Sequence, residues 1–377
     1  MSNTFINTDL VARDASVILQ DNLVATRLTN RSHEDKFAGK VGDTIRVKVP
    51  PRFTTTRDLL SDGTTTAEDI TDTTVDLKLD RQFYRKVSLT SVQGTLEVED
   101  FNNWIVIPAI NGIADDIDSL TVDRAVAGYA QNTNGIVGTA GNRPSTLAHL
   151  AAAAKGLNDD GCPMEYRVGL IDTTVHASLV QLPEFKSLDY GAQKASTLEN
   201  SLLGKLMTIN WFMDQNCGTQ SRGDVGQATN VYGASQTGTT LNLDDAAGGS
   251  SGTINQGARF TINALSNTYV VKEDITASGG YFAVPLNISL ESSPADNAAI
   301  TWGTALTENV VYDRRSLAAA VVAPSPLSVL SSSAIYDGIG MRVTRSTSTS
   351  TMADDIVFDT FAGVRVTTAN AGRVVQS

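Results

Sequence analysis

The chain has 377 residues, 41% hydrophobic and 19% charged, the balance of a soluble globular protein with room for two or three domains, not of a disordered one. Its formal net charge of −12, with Lys and Arg scattered singly or in pairs such as Arg314-Arg315, argues against tight phosphate-backbone binding, which needs clustered cations. Cys162 and Cys217 are too few for a disulfide framework and read as small thiols in a reducing cytoplasm. Met1–Phe5 lacks the basic-then-apolar pattern of a secretion signal, and no run approaches the ~18 apolar residues of a membrane span, so an aqueous cytoplasmic setting is expected.

In chain order, Asp9 to about Thr29 reads as a helix capped by Asn7 or Thr8. Leu10, Val17, Val24 and Leu28 share one face of it, and Asp14 and Asp21 fall within that face. Carboxylates there either meet a partner's basic residues or belong to a frayed, solvated helix. Thr44–Val49 and Val75–Asp80 then alternate polar and apolar residues, so each is a strand with one apolar face. Antiparallel pairing would bring Arg46 and Lys48 to Asp76 and Asp80. The Thr-rich stretch from Pro50 to Thr74 is longer than a compact domain carries without a use for it, and a two-stranded ribbon is marginal alone. The ribbon is therefore expected to rest on another subunit.

Glu97, Glu99 and Asp100 crowd the start of the next helix, where the macrodipole favours negative charge. Its apolar stripe is Phe101, Ile105, Ala109, Ile113, Ile117 and Leu120; Pro108 kinks or restarts it, and it is expected to reach Gln131, a rod of ~45–50 Å at ~1.5 Å per residue. Residues 145 to 217 follow an α/β rhythm: helix to Leu157, strand Arg167–Ile171, helix Thr173–Leu182, strand Met207–Phe212. From Gly218 to about Gly303 the composition turns to Gly, Ser, Thr and Asn, with short strands at Thr239–Leu243, Arg259–Ala264, Tyr269–Lys272, Tyr281–Val284 and Asn287–Leu290. That spacing suggests an inserted small barrel or sandwich. Strands near Val310–Tyr312, Gly340–Thr344, Ile356–Phe358 and Val364–Thr368 follow.

No catalytic constellation emerges. His33, His149 and His176 stand in different elements, none at metal-ligand spacing. Gly39-Lys40 and Gly204-Lys205 lack the earlier glycine of a phosphate loop. Gly248–Gly252 fits Gly-x-Ser-x-Gly only in a turn, without the strand and helix a nucleophile elbow needs. The acidic pairs Asp115-Asp116, Asp159-Asp160, Asp244-Asp245 and Asp354-Asp355 suit helix ends, turns and solvated faces. Trp104, Trp211 and Trp302 sit in apolar patterns as core residues. The chain is read as a non-enzyme without a cofactor or metal.

Several strings, taken in order, carry a resemblance: Met1–Phe5, Ala12-Arg13-Asp14-Ala15, Asp21–Val24, His33–Phe37, Lys40–Thr44, Pro50–Phe53, Leu96–Phe101 and Ile107-Pro108-Ala109, with Gly257–Ile262 further on. In these the chain resembles the major capsid (coat) proteins of tailed bacteriophages, and among them the branch of the short-tailed Salmonella phage coat protein, which carries an inserted β-domain. The likeness covers roughly the first 130 residues well, the α/β section more loosely and the insert mainly in composition.

The resemblance implies an α+β, Johnson (Hong Kong 97-like) fold. It would divide the chain into an N-terminal arm (1–39), an extended loop or E-loop (40–92), a peripheral domain with a spine helix (93–139 and 336–377), an axial domain (140–217 and 305–335) and a β-barrel insertion domain (218–304). It implies a virion protein assembled in the host bacterial cytoplasm, through a procapsid, into pentamers and hexamers of an icosahedral head around double-stranded DNA bound without sequence preference. Scaffolding, portal and decoration proteins would be partners; no membrane is involved. The acidic balance would suit an inner wall that does not hold phosphate. A cargo-enclosing nanocompartment shell of the same fold is the alternative. Subunit contacts are expected at Asp14, Asp21, Arg46, Lys48, Arg52, Phe53, Arg57, Leu59, Leu60, Asp76, Asp80 and Trp104, each ribbon lying across the next subunit's spine helix. Some relatives crosslink through a loop lysine, but none occurs between Pro50 and Thr74.

Overall fold

The computed structural model describes residues 8–37, 44–49, 73–90, 105–132, 135–138, 144, 146–182, 204–220, 222–225, 229–245, 252–277, 281–303, 306–326, 331–348 and 353–376. One long helix, Ile107–Tyr129, runs between two cores. Pro108 sits in the first turn of this α-helical run, where a missing N–H costs nothing, directly after Ile105 and Val106, which form a π-helical turn. This run has 23 residues, about 35 Å at ~1.5 Å per residue; the start of the expected stripe, Phe101, lies outside the described residues.

Ile110, Ile113, Ala114 and Ile117 of its first half pack with the first helix, Thr8–Asn22, on a five-stranded antiparallel sheet. There Ala353–Val366 is the central strand. Ile339–Ser348 flanks it on one side with Ser331–Tyr336 beyond, and Leu317–Val322 and Arg81–Thr90 also pair with it. Ile339, Met341, Val343, Ile356 and Phe358 supply the sheet's share of this core. Ion pairs between Arg342 and Asp359, both buried, and between Arg345 and Asp354 tie adjacent strands.

The second half of the long helix places Val122, Ala125, Val126 and Tyr129 against a mixed sheet of order Ile136–Val137, Gly372–Gln376, Leu306–Asp313, Arg167–Ile171, Ile209–Met213, Lys205–Leu206, with Thr219–Gln220 also pairing to Leu306–Asp313. Strand alternation covers both faces. Val310 and Tyr312 turn toward the long helix, while Val311 turns to the helices Leu147–Asp159 and Thr173–Val180.

A third core is all-β. Thr268–Val270, Arg259–Ile262, Ala299–Trp302, Thr229–Val231, Thr240–Asp245 and Phe282–Pro285 form a six-stranded antiparallel sheet in that order. A bridge between Val271 and Leu286 joins its two outer strands, so the sheet closes on itself and leaves no long free edge there. Phe260, Tyr269 and Trp302 meet inside it, with Trp302 Nε1 donating to Thr229 Oγ1 at 2.5 Å. Full burial of Phe260 and Phe282 contributes roughly 1.5–3 kcal/mol each.

Several elements differ from the sequence reading. The first helix stops at Asn22, and Thr26–Leu28 is a separate 3-10 turn. Arg81–Thr90 is a ten-residue strand where none was expected. Leu317–Val322 joins the five-stranded sheet, and Gly372–Gln376, where no strand was expected, pairs with Leu306–Asp313. Asn287–Leu290 is not a strand; Thr229–Val231 and Ala299–Trp302 are.

Candidate subunit interface

The ribbon pairs Thr44–Val49 with Thr73–Lys78, antiparallel, with Arg46 opposite Asp76. Their side chains approach to 3.6 Å, both largely exposed, so the pair contributes about 0–1 kcal/mol. The expected companion pair does not form. Lys48 lies opposite Thr74, and Asp80, beyond the strand's end, accepts from Arg124 of the long helix at 3.0 Å. The chain turns back after Lys78 into Arg81–Thr90, which carries Asp80 away from the ribbon. Gly363 allows this crossing, because a Cβ there would lie 2.0 Å from the Lys78 carbonyl oxygen. Arg124 also donates to Gln256 at 2.9 Å, so one guanidinium joins ribbon root, long helix and barrel.

The apolar side of the ribbon root corrects a second expectation. Val47 and Leu77 are buried against Phe37, Ala318 and Ala320 of the same chain, not left for a sister copy. Alanines at 318 and 320 leave the space in which the ribbon lies down. Arg52, Phe53, Arg57, Leu59, Leu60 and Trp104, and the helix-start residues Glu97, Glu99, Asp100 and Phe101, lie outside the described residues.

The first helix buries Val11, Ala12, Ala15 and Leu19, with Leu23 just beyond its end, a different face from the one read in sequence. Leu10 is 60% exposed and Val17 36%. Small alanines mark the true contact, because they let this helix approach closely. Asp21 is consequently exposed and Asp14 half-buried, outside the core.

Sequence reasoning missed the buried carboxylates. Asp118 is fully buried on the long helix and accepts the N–H of Val24 (2.6 Å), the N–H of Thr26 (2.9 Å) and the Thr26 hydroxyl (2.7 Å), closing the turn after the first helix. Burial raises its pKa, while those donors pull it back. Asp214 is 2% exposed; its Oδ1 accepts from the Asn216 N–H at 2.8 Å, and its Oδ2 is buried with no partner among the described residues. Burial pushes its pKa up to about 6, opposed by the Asn216 N–H and reinforced by the charges of Asp118 and Asp115. Burial, then the charges of Asp214, Asp172 and Asp123, raise the neighbouring Cys217 thiol, and burial, then Asp118 and Asp214, raise the Tyr312 hydroxyl. A signal existed for Asp118: an acid directly after Ile117, inside an apolar stripe.

Beside the ribbon root opens a cleft of about 890 Å³. Lys36, Arg46 and Lys48 face it from the short helix Glu34–Phe37 and the ribbon; Asp160, Asp313 and Arg315 face it from the body. Asp313 accepts from Arg315 at 3.2 and 2.7 Å, and Asp160 from the buried Arg373 at 2.5 Å. His33, beside Lys36, has its pKa lowered by partial burial and by that lysine's charge. His149 bonds to Thr146 at 2.9 Å, far in sequence from either. Among the described residues no group of three or more His, Cys, Asp or Glu side chains could hold a metal ion, and no helix is long and apolar enough to cross a membrane.

The fold described above is similar to that of chains in phage structures. A chain in the structure of Mycobacterium phage Che8 is 14% identical and superposes with a TM-score of 0.53 over 94% of this chain and 90% of its own. A chain in the capsid structure of the cyanophage P-SCSP1u is 13% identical, with a TM-score of 0.54 over 94% and 88%. No protein-family model and no curated protein matches the sequence. The likeness is one of fold: this chain has the fold seen in the P-SCSP1u capsid structure.

Proposed function

We propose that this protein is a major capsid protein, a structural subunit that assembles in many copies into pentamers and hexamers of an icosahedral phage head enclosing double-stranded DNA. The observation that carries the reading is the extent of the likeness: nearly the whole chain superposes on nearly the whole of a chain in a capsid structure. Contacts repeated around a ring and a shell are each allowed to be weak, because closure multiplies them. Assembly would take place in the host cytoplasm, with scaffolding, portal and decoration proteins as companions.

The residues proposed for inter-copy contact are those the fold leaves outward: Asp14, Asp21, Arg46, Lys48 and Asp76, with the ribbon tip and Trp104 added from sequence. Asp80 is retained by its own chain through Arg124 and drops out of the set. Expression alone and with a scaffolding protein, followed by negative-stain microscopy, tests the function. Closed shells of uniform diameter that package DNA in infected cells support it. Cages packed with a protein cargo and free of DNA would assign the nanocompartment role instead, and a lasting monomer would reject both.

A further inference from the structure

Beyond the shell reading and independent of it, we infer that the outer face of the barrel carries a binding site for a neutral pyranose saccharide, built on Tyr232, Tyr281 and Asp244. Strand alternation sets this face. Val231, Leu243 and Phe282 lie opposite one another on three neighbouring strands and point into the barrel core. Tyr232 follows Val231, Tyr281 precedes Phe282, and Asn242 and Asp244 flank Leu243, so all four turn outward. The two tyrosines reach across the strand between them, Thr240–Asp245, and stack with ring centroids 5.3 Å apart and planes 6° from parallel. Tyr232 is 49% exposed. Stacking holds the rings still, so little freedom is lost when a ligand settles on the open one.

The loop after Tyr232 is held in place as well. Gln236 Nε2 donates to the Tyr232 carbonyl at 2.7 Å and the Gly233 carbonyl at 3.1 Å, and its Oε1 accepts from the Asn242 N–H at 2.6 Å. The Gly233 N–H donates to Asp296 at 2.8 Å. Charge then selects the ligand. In a chain of net charge −12, residues 225–243 and 275–290 contain no charged side chain, so these runs offer no cation to a phosphate or a carboxylate. Asp244 is the one charge among the four outward residues. It is half-buried, and its Oδ1 is buried with no hydrogen-bond partner among the described residues. An acceptor in that state favours an incoming donor. A neutral pyranose supplies both complements: an apolar C–H face for the open ring, and hydroxyl donors for the carboxylate. A nucleic acid or an acidic sugar would bring its own negative charge to Asp244 and is disfavoured.

The test titrates the full, unassembled chain with maltohexaose, cellohexaose, mannohexaose and, as a charged control, oligogalacturonate. Binding is read by saturation-transfer NMR, with circular dichroism to establish that each variant folds. At least one neutral hexasaccharide is expected to receive saturation at its ring C–H protons, with millimolar affinity, and the charged oligomer none. Tyr232→Ala should weaken binding at least tenfold and Asp244→Ala at least fivefold. Tyr232→Trp, which widens the platform, should keep or tighten it, an outcome that separates stacking from damage to the fold. Silence from all three neutral probes, unchanged affinity in Tyr232→Ala, or a preference for oligogalacturonate would overturn the inference. Two further outcomes would also overturn it while the shell reading stands. Tyr232→Ala that lowers shell yield with no saccharide bound would make a second copy the occupant, and binding of a deca-proline peptide in place of the saccharides would make it a proline-rich segment. A chain that binds saccharide but never assembles would reject the shell reading alone.

Discussion

Replacing Asp214 with Asn should stabilise the folded chain at neutral pH. Asp214 is 2% exposed and its pKa is pushed up to about 6, first by burial and then by Asp118 and Asp115. A folded-state value above the ordinary 3.8 means that the folded protein holds this proton more tightly than the unfolded one. The group therefore favours folding below about pH 3.8, and that advantage is lost as pH rises through about 6. The gap between 3.8 and about 6 corresponds to about 3 kcal/mol against folding at pH 7.5, at ~1.36 kcal/mol per pH unit. Asparagine keeps the Oδ1 that accepts from the Asn216 N–H and removes the charge. Urea unfolding of the unassembled chain should show the variant more stable by about 2–3 kcal/mol at pH 7.5 and by less than about 1 kcal/mol at pH 4. An Asp214→Asn chain that is no more stable at pH 7.5, or that gains equally at both pH values, would refute the reasoning.

Three further outcomes follow from the packing. Ile117→Ala opens a void where the long helix meets the five-stranded sheet and should cost about 2–5 kcal/mol in denaturant unfolding. Arg124→Ala removes the guanidinium shared by Asp80 and Gln256; hydrogen exchange should quicken at residues 76–80 and 254–257, with a stability loss of about 1–2 kcal/mol, and unchanged exchange there would count against the three-way joint. Deleting Thr54–Thr74, of which residues 54–72 lie outside the described residues, should leave a folded, soluble chain that forms no shells, as sedimentation would reveal.

Local patterns in the sequence were legible where one face is buried and the other wet. The alternation of Thr44–Val49 and the apolar run of Arg167–Ile171 each appear as strands at the expected residues. Arg81–Thr90 was not legible, because its partner, Ala353–Val366, lies far along the chain and most of its described side chains face water. The first helix misled for a different reason. Hydrophobic counting favours Leu10 and Val17, whereas close helix packing favours Ala12 and Ala15, whose small size no periodicity rewards. The candidate interface shared this limit: Arg46 facing Asp76 follows from strand register, but Asp80 meeting Arg124 depends on how the chain folds back across Gly363.

The place of Gly372–Gln376 sets an order of events in time. This strand fills the gap between Ile136–Val137 and Leu306–Asp313, partners translated long before it. Until the ribosome has delivered it, Val310 and Tyr312 lack a hydrogen-bonded neighbour on one side and Arg373 has not reached Asp160. A nascent polypeptide stalled short of residue 372 is thus left with an unzipped middle. Interrupted translation products would keep an open strand edge there, a ready template for pairing with other chains.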